Sequence, residues 1–208
     1  MTEAGLRERK KQRTRGALID AAFTLFERKG FDATTIDEIA DAVDVSPRTF
    51  FRYFASKEEV ALSLLDEQLG FLVEVLAARP ADEPVLTALH HAAVEVVRGC
   101  ESGAGGFDAD RYETMQRLVA ANPALAAHGI ELGAVRMAEV ARLVGERMGV
   151  DQRTDPRPRL VASVGLCAVQ TAVNAWREND RDARSSDLVD TAFRLLTEGI
   201  NYPAAPRT

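Results

Sequence analysis

Two cysteines in 208 residues, Cys100 and Cys167, give no metal-binding spacing, no redox motif and no disulfide framework. They suit small buried hydrophobes in a reduced compartment. Histidine is scarce as well: His90, His91 and His128 are the only three, and no HExxH-like spacing occurs. His90 and His91 fall within an amphipathic helical pattern, one at the core edge and the other toward solvent. The chain also lacks a Gly-x-Ser-x-Gly elbow, a phosphate-cradling glycine loop and a cysteine beside a plausible base. No catalytic residue, metal or cofactor is therefore expected. Long apolar runs are missing too. The longest uncharged stretch, between Arg159 and Arg177, holds Ser163, Gln170, Thr171 and Asn174, whereas a membrane span needs about 20 apolar residues. The N-terminus is charged with no apolar segment behind it, so the expectation is a cytoplasmic chain without a secretory signal.

What is present is helical periodicity from end to end, with no persistent strand-like alternation. A hydrophobic content of 46% supports a packed interior. The spacing predicts helices over about 7–29, 35–42, 46–52, 57–78, 84–100, 108–121, 123–148, 157–179 and 186–199. Their breaks carry recognisable punctuation. Arg79-Pro80-Ala81-Asp82-Glu83-Pro84 and Ser102-Gly103-Ala104-Gly105-Gly106 are loops, and Asn122-Pro123 is an N-cap followed by a proline.

The segment from Thr34 to Glu59 is the densest in local signals. Thr35 and Glu38 form the pattern of a capping box. Val43-Asp44-Val45 interrupts the helix they open. Ser46 restarts it as an N-cap, with Pro47 at the first helical position. Ser56-Lys57-Glu58-Glu59 is a further capping box. Two short helices joined by a tight turn make a helix-turn-helix, whose second helix can enter the DNA major groove. An ordinary αα-hairpin has the same bare pattern. Two features separate them. The second helix carries Arg48, Thr49, Arg52 and Tyr53 between apolar Phe50 and Phe54, and residues 1–15 hold six Lys/Arg against two Asp/Glu. A basic arm beside a polar recognition helix is the footprint of a duplex binder.

Residues 15–62 resemble the N-terminal DNA-binding domain of tetracycline-repressor-type (TetR) transcription regulators. The likeness rests on Ala21-Ala22-x-x-Leu25-Phe26, Gly30-Phe31, Thr34-Thr35-Ile36, Ile39-Ala40, Val45-Ser46, Thr49-Phe50-Phe51-x-Tyr53-Phe54 and Ser56-Lys57-Glu58. The resemblance implies an all-α homodimer of about nine helices per chain. A helix-turn-helix domain with its basic arm is expected over 1–56, an effector-binding and dimerisation domain over 57–201, and a flexible tail over 202–208. Helix 57–78 is expected as one rigid lever between the two. Two positions depart from the family pattern: Asp44 stands where glycine is usual, and Phe51 where tyrosine is frequent.

Candidate DNA-binding residues are Arg13, Thr35, Ser46, Pro47, Arg48, Thr49, Phe51, Arg52, Tyr53 and Lys57. Arg48 suits a guanine, whose O6 and N7 a guanidinium can bond together, or a phosphate. Thr35 is either a plain cap or a phosphate ligand at a helix start. Thr49 suits a thymine methyl or a phosphate oxygen, and Phe51 an apolar contact. Lys57 matches the family's lysine that approaches the DNA backbone. Phe23, Phe26, Ile36, Ile39, Val45, Phe50 and Phe54 are read as core. The net charge of −6 divides unevenly: residues 1–58 hold eleven Lys/Arg against ten Asp/Glu, and the remainder fifteen against twenty-two. The acidic remainder is expected to face away from DNA.

Helices 157–179 and 186–199 carry the dimer expectation through Leu160, Val164, Val169, Val173, Leu188, Ala192 and Leu195. Ala162, Gly165, Ala168 and Ala172 between them would allow close helix approach; the alternative is that all of these complete one protomer's core. Phe107, Tyr112, Met115, Met137, Cys167 and Trp176 are candidates for an effector pocket or, equally, for ordinary core. Asn122-Pro123-Ala124-Leu125 with Arg157-Pro158-Arg159-Leu160 is similar to a subgroup of these regulators that senses acyl-CoA-like ligands, implying a lipophilic effector. The expected partners are double-stranded DNA with a palindromic operator, a second copy of the chain and that effector. A helical protein-interaction module without DNA binding remains the alternative.

Overall fold

The computed structural model describes residues 3–178 and 183–200; the expected tail 202–208 lies outside them. Among the described residues there are ten α-helices, one short 3-10 turn and no strand. They run α1 (Glu3–Lys29), α2 (Ile36–Asp41), α3 (Pro47–Phe50), α4 (Lys57–Ala61), α5 (Ser63–Ala78), α6 (Val85–Ser102), the 3-10 turn Ala104–Gly106, α7 (Ala109–Ala121), α8 (Pro123–Met148), α9 (Arg157–Glu178) and α10 (Ser185–Glu198). The chain divides into two compact units. One comprises Met1–Asp66 with Asp110–Gly129, and the other Glu67–Ala109 with Ile130–Thr208.

Three expectations about elements change. α1 begins at Glu3 rather than near residue 7, and Arg7, Arg9, Lys10, Lys11 and Arg13 stand exposed on it as the expected helix over 7–29 placed them. The helix expected over 46–52 is α-helical only from Pro47 to Phe50. The chain then tightens, with Arg52 N–H bonded to Thr49 O at 3.2 Å and Tyr53 N–H to Phe50 O at 2.8 Å. The single lever expected over 57–78 is divided at Leu62, whose φ of −96° and ψ of 4° leave the helical region. Ser63 Oγ turns back to donate to Val60 O at 2.8 Å across this break. No glycine or proline marks the position, which is why periodicity alone passed over it.

The first unit closes around aromatic rings. Phe26 and Phe31 meet at 5.1 Å between centroids, Phe50 and Phe54 at 5.8 Å, and Leu18, Ala22, Ile39 and Leu62 are fully buried beside them. Each of the leucine, isoleucine and phenylalanine side chains among them contributes about 1.5–3 kcal/mol by leaving water. Ile36 and Val45 remain half-buried. α7 is tied to α1 by polar side chains: Arg111 pairs with Asp20, and Thr114 Oγ1 donates to Glu27 at 2.6 Å.

In the second unit, α10 packs on α9 and α6. Gly165 makes the closest approach, since a Cβ there would collide with Leu89 of α6 and touch Phe193 of α10. Ala162, Ala168 and Ala172 are likewise buried within the protomer. The small residues of α9 therefore serve this interior rather than an approach between subunits. Glu101 of α6 caps α10 from outside, its carboxylate accepting from Ser185 Oγ (2.6 Å), Ser186 N–H (3.0 Å) and Ser186 Oγ (2.7 Å). Arg147 closes the far end of α5 by donating to the carbonyls of Leu76, Arg79 and Pro80 at 2.7–2.8 Å. No single helix among the described residues is long and apolar enough to cross a membrane.

Candidate nucleic-acid interface

The turn between α2 and α3 is built by local chemistry. Thr35 caps α2: its hydroxyl accepts from Glu38 N–H at 3.3 Å while Glu38 Oε2 accepts from Thr35 N–H at 2.9 Å. Lys29 pairs with the same carboxylate, and these donors together lower the Glu38 carboxyl to about 2. Thr35 thus acts as the N-cap of α2 in the protein without DNA. α2 ends as Val45 N–H returns to Ala40 O at 3.1 Å. Asp44 between them takes φ = 55°, the left-handed conformation that glycine would adopt without strain. Ser46 then caps α3, its Oγ accepting from Thr49 N–H at 3.2 Å, with Pro47 at the first position.

This places a set of polar and apolar groups on one short element. Arg48 is exposed and has no intramolecular partner among the described residues. Thr49 is half-buried, its Oγ1 3.1 Å from Ser46 Oγ. Phe51 is 55% exposed, edge-on to buried Phe50 at 5.6 Å. Arg52 lies over the Tyr53 ring at 5.2 Å and donates to its hydroxyl at 3.4 Å. That hydrogen bond chiefly lowers the Tyr53 hydroxyl from its ordinary value, with Thr14 and Lys11 of α1 adding to it. Arg15 stands 5.2 Å over Phe54. α1 thus brings cations to the C-terminal end of the reading element. Thr14 was missed from sequence because its partner lies 39 residues away, although its place one turn from Lys11 was visible.

Lys57 is engaged within the protein. Its Nζ donates to Phe31 O at 2.7 Å and Thr34 O at 2.9 Å, and sits 4.2 Å over the Phe31 ring. Two of its three donors are therefore spent on the loop that leads into α2. The neighbouring box is also incomplete: Ser56 Oγ accepts from Glu59 N–H at 3.2 Å, but the Glu59 carboxylate bonds Ala55 N–H instead of Ser56.

The effector candidates divide between the units. Tyr112 and Met115 are buried in the first. In the second, Phe107 packs on Phe71 at 5.4 Å, and Trp176 Nε1 donates to Ala183 O at 2.9 Å. Met137 Sδ accepts from Ser163 Oγ at 2.9 Å, and Cys167 is exposed. Of the dimer candidates, Leu160 is 63% and Leu195 41% exposed, Val164, Val169, Leu188 and Ala192 are half-buried, and Val173 is buried inside the protomer.

The comparisons agree with this geometry. Residues 18–64 match the family model for bacterial regulatory proteins of the tetR family, and residues 83–201 the model of the MftR C-terminal domain. The HTH-type transcriptional regulator TcmR of Streptomyces glaucescens is 39% identical over 173 residues, covering 83% of this chain and 76% of that protein. MftR of Mycobacterium tuberculosis is 26% identical over 93% of this chain and 94% of its own length. Two solved structures share the fold: the fatty acid degradation regulator FadR of Bacillus halodurans (21% identity, TM-score 0.59, 91% and 97% of the two chains) and Thermus thermophilus FadR in complex with lauroyl-CoA (24%, 0.55, 93% and 98%). These relatives are regulators of transcription, not enzymes. The chain belongs to the TetR family of transcriptional regulators.

Proposed function

We propose that this regulator represses by holding a palindromic operator as a homodimer in the cytoplasm and is released by a lipophilic, acyl-CoA-like effector. The observation that bears most weight is the pairing of an unengaged Arg48 with a reading element held rigidly by the Thr35, Ser46 and Lys57 contacts. Arg13, Ser46, Pro47, Arg48, Thr49, Phe51, Arg52 and Tyr53 form the proposed face toward DNA. Arg48 bonds a base edge, Phe51 reaches a thymine methyl, and Arg52 and Tyr53 take phosphates. A twofold dimer with recognition helices about 34–36 Å apart reads two half-sites one helical turn apart. Leu160 and Leu195, apolar yet exposed on the paired helices α9 and α10, supply the proposed contact between protomers.

The effector class is supported by the lauroyl-CoA bound to the Thermus thermophilus relative. An effector that prefers a dimer with another spacing lowers operator affinity only by its differential affinity for the two states. The test uses a duplex recovered by selection from random DNA, at fixed salt. Two chains per duplex and release by lauroyl-CoA are expected. One chain per duplex, or complexes untouched by saturating lauroyl-CoA, would overturn the dimer or the effector class respectively.

A further inference from the structure

α1 is helical from Glu3, yet the part of it before residue 18 lies outside the match to the tetR family model. From Arg7 to Arg13 every residue is exposed, so the surface of the helix here is open to a partner. It carries Arg7, Arg9, Lys10, Lys11 and Arg13 against the single acid Glu8, which Gln12 engages at 3.0 Å. Arg7, Lys10, Lys11 and Arg13 make no side-chain hydrogen bond or ion pair among the described residues. Like charges stand four residues apart, Arg7 with Lys11 and Arg9 with Arg13, a spacing that weakens a helix. A polyanion laid against them would turn that repulsion into attachment.

The course of the helix decides where such a polyanion lies. Arg7, Lys10, Lys11 and Thr14 follow the i, i+3, i+4, i+7 spacing and share one face of α1. Thr14 and Lys11 bring that face to the Tyr53 hydroxyl, and Arg15 lies 5.2 Å over the Phe54 ring. The cationic face is thus continuous with the reading element at a residue proposed to hold a phosphate. From Thr14 the helix runs on to Arg7 for about 10 Å, at about 1.5 Å per residue. That length corresponds to about three base-pair steps, at about 3.4 Å each along one strand. Lysine meets phosphate as a point charge, without the planar fork that reads a guanine.

We propose that Arg7, Lys10 and Lys11 clamp phosphates of the duplex just outside each operator half-site, without reading sequence. The inference rests on the operator binding proposed above and adds a flanking contact, made by a helical extension of the reader. Sequence is then read by α3 alone, while the first turns of α1 hold whatever DNA surrounds the site.

The test compares two duplexes, the selected operator cut at its ends and the same operator extended on each side by about six base pairs of arbitrary sequence. Wild type and a triple variant, Arg7→Ala with Lys10→Ala and Lys11→Ala, are titrated on both over a range of salt. For the wild type, the slope of log affinity against log salt should be steeper on the extended duplex by about 5, at about 0.9 for each of six phosphates held by the dimer. The triple variant should show one slope on both duplexes and keep the wild-type preference for operator over random DNA of equal length. Alanine favours the helix, so the change reports lost charge and not unwinding. A wild type with one slope on both duplexes, or a variant whose slopes still differ as the wild type's do, would overturn the clamp alone. A variant that loses its preference for the operator would show that these side chains read bases, and would overturn it too. A wild type that binds neither duplex would overturn operator binding, and the clamp with it. Arg7→Gln with Lys10→Gln and Lys11→Gln repeats the comparison should the alanine variant fail to fold.

Discussion

Arg48 and Lys57 sit nine residues apart with the same charge and do different work. Arg48 has its whole donor fork available, whereas Lys57 has given two donors to the carbonyls of Phe31 and Thr34. Replacing Arg48 with alanine should lower affinity for the selected operator by about 1–3 kcal/mol per half-site and relax one base position in each, leaving random DNA almost unaffected. Equal loss on both duplexes would contradict a base contact. Lys57→Met should weaken operator binding by loosening the entry to α2, yet leave the slope of log affinity against log salt unchanged. Arg13→Ala, removing a phosphate ligand from each protomer of the dimer, should reduce that slope by about 1.8. A similar reduction for Lys57→Met would show that its ammonium faces phosphate after all. The spacing of residues revealed that Lys57 opens a helix beside the DNA reader. It could not reveal where the ammonium goes, because Phe31 and Thr34 are more than twenty positions away.

At the scale of elements, what was legible in the sequence is what local hydrogen bonds decide. The caps at Thr35, Ser46 and Asn122 form as their residue types require, Asn122 Oδ1 accepting from Ala124 N–H at 3.0 Å. The break at Leu62 and the shortening of α3 were not legible, since both depend on how neighbouring helices pack rather than on a breaker residue. The stripe of small residues on α9 was visible, but spacing alone could not tell an intrachain from an interchain partner. Leu89 and Phe193 settle that for Gly165. The turn before α3 combines both kinds of information. Asp44 was recognisable as a departure from glycine, and its φ of 55° makes the consequence measurable. Asp44→Gly should stabilise the protein by roughly 0.5–1 kcal/mol in urea unfolding, by removing left-handed strain at a side chain. A destabilised variant would mean that the aspartate contributes something the backbone conformation does not explain.

The whole molecule separates its charges by task. Residues 1–58 are close to neutral overall, eleven Lys/Arg against ten Asp/Glu, yet concentrate exposed cations on α1. Affinity must then come from positioned contacts and from holding two readers at once. The exposed Leu160 and Leu195 are the proposed means of joining the readers. The double variant Leu160→Glu with Leu195→Glu should sediment as a monomer and bind a full operator about a hundredfold more weakly, the loss expected when two linked half-sites become independent. A variant that stays dimeric would move the interface elsewhere on the chain. The most direct measurement of the central claim is selection from randomised duplex DNA with the purified wild-type protein at one stated salt concentration. The account predicts an enriched palindrome with half-sites about one helical turn apart. A folded protein that enriches no sequence, or only a single unrepeated half-site, would contradict it.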